Sequence, residues 1–151
     1  MKTHFINLFN YDLHCNLQML DLLFQSKEPE RAVKLTAHIL GAQQIWLSRC
    51  RTDSAAGLTV WPDLQAVQLK YIMQENHTQW IDYIKTLNTD DFEKPVAYIT
   101  TKGAQYTDKL IDILTHVINH GTHHRAQVGQ ELKKAGINEL PSTDYIFYTR
   151  Q

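Results

Sequence analysis

Only two of the 151 residues are cysteines, Cys15 and Cys50, which excludes a disulfide scaffold. A reducing, cytoplasmic compartment is the expectation, with both thiols half-buried. An excess of charge of one sign is missing too. Lysine and arginine total 15 against 16 for aspartate and glutamate, and no basic block offers the footprint that a phosphate backbone needs. No nucleic-acid partner is expected. No window approaches the roughly 20 apolar residues that span a bilayer, and the opening MKTHFINLFNYDLHCN lacks the apolar core and cleavage site of a signal peptide. No membrane partner is expected either. Internal repeats and low-complexity segments are absent, so the chain is read as one domain, residues 1–151.

Glycine and proline are few, six and four, and they act as punctuation. Residues 3–25 carry Phe5, Phe9, Leu13, Leu17, Leu20 and Phe24 at helical spacing. SKEPE interrupts, and Pro29 suits the first turn of a second helix reaching about Arg51. TDSAAGLTVWPDL reads as a loop, with Asp63 as N-cap of a third helix to about Leu87. Residues 92–107 alternate at Val96, Tyr98 and Thr100 and contain Pro95 and Gly103, the pattern of a short hairpin. Thr107 is expected to cap a fourth helix with Asp108 near its positive end, and KKAG closes that helix with Gly136 as the C′ residue. The tail PSTDYIFYTRQ is apolar enough to pack. The pattern predicts an all-α antiparallel four-helix bundle with a hairpin before the last helix and an ordered tail.

What the chain does have is histidine: HVINHGTHH places four of its eight between residues 116 and 124. At about 100° per residue, Leu110, Ile113, Val117, Gly121 and Val128 define the inward stripe of the fourth helix. His120 and His124 fall within it, His116 at its edge and His123 outside. Two histidines at i and i+4 have Cβ atoms roughly 6 Å apart and can converge on one ion. A third ligand must come from another helix, and His38 sits on the apolar stripe of the second, between Leu35 and Ala42. His4 and His14 lie near the chain start and His77 at a stripe edge. Gly121 would let a neighbouring helix approach the site. The HxxxH spacing lacks the glutamate of an HExxH protease. Asp12 and Asn16, on an inward face of the first helix, are candidates to accept from histidine N–H groups. Asn119 and Arg125 flank the ligand pair and could orient a ligand, meet an anionic cosubstrate, or make ordinary helix and tail contacts. Trp46, Trp61 and Tyr145 are expected in the core.

HVINHGTHHRAQVGQELKKAG, followed by PSTDYIFY, resembles the fourth-helix signature of the DinB/YfiT-like family of metal-binding four-helix proteins, and AHILGAQQIWLSR is similar to that family's second helix. The resemblance implies His38, His120 and His124 as ligands of a divalent metal, with His116 supporting or packing beside them. His123 stands where an aromatic residue is expected and Ala126 where glycine is common. Three neutral imidazoles leave an open coordination position, which suits catalysis better than a closed structural site. The family likeness implies a metal-dependent transferase that activates a low-molecular-weight thiol for attack on a small electrophile, acting as a homodimer with zinc, nickel or iron. A metal-dependent hydrolase and a noncatalytic metal-binding stress protein are the competing expectations.

Overall fold

The computed structural model describes residues 1–150. Four long helices carry most of it: α1 Lys2–Gln25, α2 Glu30–Arg51, α3 Ala66–Thr86 and α4 Leu110–Lys134. A 3-10 turn at Thr89–Glu93 and an antiparallel hairpin, β1 Pro95–Ile99 with β2 Gln105–Lys109, stand between α3 and α4. A single-turn helix, α5 Tyr145–Tyr148, lies in the tail.

Two apolar layers hold the helices together. One gathers Phe5 and Phe9 of α1, Leu47 of α2, Trp80 and Ile84 of α3, and Leu110, Leu114 and Val117 of α4. The other gathers Met19, Leu20 and Leu23, Leu35 and Leu40, Leu69 and Met73, and Val128 and Leu132. The order of these numbers gives the direction of each helix. α1 and α4 run from the first layer to the second, whereas α2 and α3 run from the second to the first. The packed pairs are therefore of two kinds: α1 with α3 and α2 with α4 antiparallel, α1 with α4 and α2 with α3 parallel. A wholly antiparallel order, the expectation from sequence, would need only a short link between α2 and α3. Two parallel helices require a return crossing, which residues 52–65 supply by running back along α2.

That crossing lies close on α2. A Cβ added to Gly41 would stand 2.6 Å from the Thr59 carbonyl oxygen and 2.8 Å from Pro62 Cδ, so only glycine admits the strand of loop here. Between the two apolar layers lies a polar one. Asp12, Asn16, Gln43, Asn76 and Arg125 are all buried there, contributed by all four long helices.

The helix ends differ from the sequence reading at two places. α3 begins at Ala66 with Gln65 as N-cap, whose N–H donates to Gln68 Oε1 at 2.8 Å; Asp63 is still in the crossing loop. α4 begins at Leu110, and Thr107 is not a cap but a strand residue opposite Ala97. The hairpin runs straight into the helix, and the Leu110 N–H donates to the Lys94 carbonyl at 3.0 Å. Strand pairing has taken the place of a side-chain cap. At the other end Gly136, at φ 98, closes α4 with Gly136 N–H to Lys133 O and Ile137 N–H to Leu132 O, a Schellman ending. The tail packs on α1 through Tyr11, whose hydroxyl donates to the Thr143 carbonyl at 2.5 Å and whose ring meets Tyr145 edge-on. Among the described residues no helix is long and apolar enough to cross a membrane.

Candidate metal centre

α2 and α4 antiparallel to one another bring His38 beside His120 and His124. The ring centroids are 5.0 Å apart for His38 and His120, 4.5 Å for His38 and His124, and 4.4 Å for His120 and His124. One nitrogen from each ring can be chosen so that all three lie within 4.8 Å of one another, a group that could hold a metal ion. His38 is buried and the other two half-buried.

The outward nitrogens of two of these rings are already engaged. His38 Nδ1 lies 2.6 Å from the Val60 carbonyl oxygen. A carbonyl only accepts, so Nδ1 carries the proton and Nε2 keeps its lone pair. His124 Nδ1 lies 2.8 Å from Gln127 Oε1, with the same consequence. Gln127 in turn places its amide nitrogen 3.3 Å from His123 Nε2, tying the outer histidine to the inner one. An acceptor behind His38 and another behind His124 fix tautomer and ring angle, the usual support for histidine ligands. Trp61 completes the shell by stacking on His38 at 4.0 Å between centroids and 15° between planes.

Electrostatics favour the neutral form that ligation needs. Burial pushes the His120 pKa down to about 4, helped by the neighbouring His124, His38, His116 and His123. Burial also lowers His124 against the opposing pull of Gln127, and lowers His116 with Arg49 adding to the effect. The residues present thus fit a divalent ion on the chemistry of the donor set: three free imidazole nitrogens, two of them with their protons parked on oxygen acceptors, and no carboxylate or lysine among them.

The remaining sequence candidates go elsewhere. Asp12 and Asn16 do face inward but neither bonds a histidine among the described residues. Asp12 Oδ1 accepts from Arg125 Nη1 at 2.7 Å, and Oδ2 accepts from Asn16 Nδ2 and Gln43 Nε2, each at 2.9 Å. Asn16 Oδ1 takes a second bond from Arg125 at 3.0 Å. Arg125 is 2% exposed and bonds to α1, while His120 and His124 of the same helix lie against His38 of α2. Arg125 meets α1 rather than a cosubstrate. Burial opposes its charge, Asp12 more than restores it, and its pKa is held above the ordinary value. Gly121 serves the same pair: a Cβ there would lie 2.7 Å from Asp12 Oδ1. Asn119 is exposed. Trp46 is half-buried against His116 and Tyr98, and Tyr145 half-buried on Tyr11. Trp61 is corrected outright: it is 49% exposed and lies on the histidine site, not in the core.

Val60 and Gln127 are the contributors that the sequence reading leaves unassigned, and Trp61 is one that it puts in the core. Gln127 could have been found from its i, i+3 spacing to His124, since side chains so spaced meet on a helix. Val60 acts through its backbone and gives no residue-type signal. Comparison with curated proteins and with solved structures gives no significant match. A model of the DinB family does match, over residues 25–151, and with it the helices that carry all three histidines; the chain belongs to the DinB family.

Proposed function

We propose that the protein binds one divalent transition metal through His38, His120 and His124 and is a metal-dependent transferase that activates a low-molecular-weight thiol toward a small electrophile. The four long helices would then form the family's bundle, with the metal on the α2/α4 side. The observation that carries this reading is the convergence of three imidazoles, two with Nδ1 held by an oxygen acceptor and none with an Nε2 partner among the described residues. A closed structural site would recruit a fourth protein ligand, whereas a site with three leaves room for a small molecule. When bound, the ion supplies Lewis acidity, lowering the pKa of a thiol or of water into the neutral range.

The chain's own residues have separable tasks. The Val60 carbonyl and Gln127 hold the protons of His38 and His124 on their outer nitrogens, so both rings present Nε2 inward. His120 stays neutral near pH 7 because its folded pKa is about 4. Trp61 shields one face of His38 from water. Imidazole donors suit zinc, nickel and iron alike.

Elemental analysis of protein purified without a histidine tag, beside His124→Ala, tests the metal. About one equivalent in the parent and little in the variant is expected; equal content in both would overturn the site. Turnover of an electrophile such as 1-chloro-2,4-dinitrobenzene only when a thiol is added supports the transferase, while thiol-independent ester hydrolysis would replace it with a hydrolase. A metal-loaded protein inert in both assays would be a binding protein.

A further inference from the structure

Two clefts flank the crossing loop. One of about 520 Å³ lies where Trp61 and Leu64 face Glu30 and Lys34. The other, about 550 Å³, lies between α2, the start of the loop and the hairpin. Its walls include Ile45, Leu58, Ala97 and Ile99, with Tyr98 and the Arg49 side chain among them. This volume is in the range of small-molecule sites, and apolar walls joined by a few polar groups, here Arg49, Thr52, Asp53, Thr100 and Thr101, are their common composition.

Arg49 is unusual in its company. Its guanidinium lies over the Trp46 ring at 4.4 Å and the Tyr98 ring at 4.8 Å. Its hydrogen bond is a long one, Nη2 to the Ile99 carbonyl at 3.4 Å, and among the described residues it makes no salt bridge. Asp53 also borders the cleft, but it is exposed and does not pair with Arg49. Asp108, on the hairpin, accepts from the Tyr98 hydroxyl at 2.5 Å. Arg125 shows what this protein does with a guanidinium meant for structure: it gives it Asp12 at 2.7 Å and buries both. Arg49 instead is half-buried, set against two aromatic rings, and makes a single long hydrogen bond among the described residues. Burial lowers its pKa from the ordinary value, yet an arginine remains cationic near pH 7.

We propose that this cleft is a binding site for small apolar carboxylates, Arg49 taking the carboxylate and the Ile45, Leu58 and Ile99 walls taking the apolar body. A planar, pre-positioned guanidinium matches a carboxylate with two parallel hydrogen bonds, and stacking keeps it in place at little entropic cost. The cleft is not remote from the histidines. Trp46, under Arg49, contacts His116 at 5.2 Å between ring centroids, and His116 contacts His120 at 5.7 Å. Read with the metal centre, and resting on that reading, the cleft would hold the carboxylate of a substrate two ring contacts away from the triad.

Phenylacetate and phenylacetamide, alike in shape and different in charge, test the site by ¹H–¹⁵N NMR titration of the full chain. One titration uses metal-free protein and one uses protein loaded with zinc. Saturable shifts are expected for the acid at the Arg49 side-chain N–H and at the amides of Ile45, Leu58 and Ile99, with the amide binding at least tenfold more weakly. Arg49→Gln should abolish that preference and Arg49→Lys should keep part of it. Equal binding of acid and amide, shifts elsewhere on the molecule, or an undiminished preference in Arg49→Gln would each overturn the proposal. If Arg49→Gln does not fold, the Arg49 N–H response in the parent protein still decides. Failure of zinc to bind would remove the metal centre while leaving carboxylate binding intact, so the two readings fail separately.

Discussion

His124 and Arg125 are consecutive residues of α4 that end in opposite circumstances. Arg125 points to α1 and both its terminal nitrogens find partners: Asp12, Asn16, the Tyr11 hydroxyl at 3.3 Å and Thr122 Oγ1 at 3.2 Å, while its Nε is left without one. The network continues through Gln43 to Asn76, which donates to the Leu40 carbonyl at 3.1 Å, so it spans all four long helices. His124 points to α2 and is satisfied only from behind, by Gln127. Buried polar groups demand partners because the interior cannot solvate them. The charged ends of Arg125 are met by Asp12 and Asn16 across the interior, whereas the converging nitrogens of the three histidines have no protein partner among the described residues, as a metal-binding group would require.

Breaking the Arg125 side should cost stability and spare the metal. Asp12→Ala strands a buried guanidinium and is expected to lose about 3–5 kcal/mol in urea unfolding. The folded fraction should still take up one equivalent of zinc. His124→Ala should do the reverse, leaving unfolding nearly unchanged while lowering zinc affinity by more than the ~10–100-fold typical of an outer partner. Isothermal titration beside a melt separates the two. Gln127→Ala sharpens the comparison, because it removes only the acceptor behind His124: a loss of ~10–100-fold in affinity is expected, with all three ligands present. An unchanged affinity would show that ring orientation does not depend on Gln127.

The remaining effect concerns pH. His120 is held at about 4 when folded, against an ordinary 6.5, so the unfolded chain binds the extra proton between those values. The contribution is fully present above about pH 6.5 and is lost as pH falls toward 4. His124, His116 and His77 are shifted in the same direction. Thermal melts of the metal-free protein should fall through that window, and His120→Gln should flatten the slope. A melt independent of pH there would contradict the neutral, buried state of this ring.

The same contrast explains what could be read from sequence. Periodicity located the four helices to within a few residues and turned His38, His120 and His124 toward a common interior. It also turned Asp12, Asn16 and Arg125 inward, but a face reading gives direction without partner, and so it could not tell that these three would satisfy one another. The crossing loop was legible as a loop and no more. Its path depends on α2 and α3 running parallel, which no local pattern encodes, and its contact with His38 is made by a backbone carbonyl 22 residues away. Thr107 and Asp63 were plausible caps by residue type; tertiary pairing of the hairpin and the return of the loop decided otherwise.

Trp61 reaches His38 only because the chain must travel back past Gly41 before α3 can begin. One outcome of that detour is optical. Of the three tryptophans, Trp80 is 1% exposed in the core and Trp46 lies beside the hairpin, whereas Trp61 is stacked on an imidazole of the triad while 49% open to water. If the triad takes an ion as proposed, this indole would report its arrival, its emission quenched by open-shell nickel and not by closed-shell zinc.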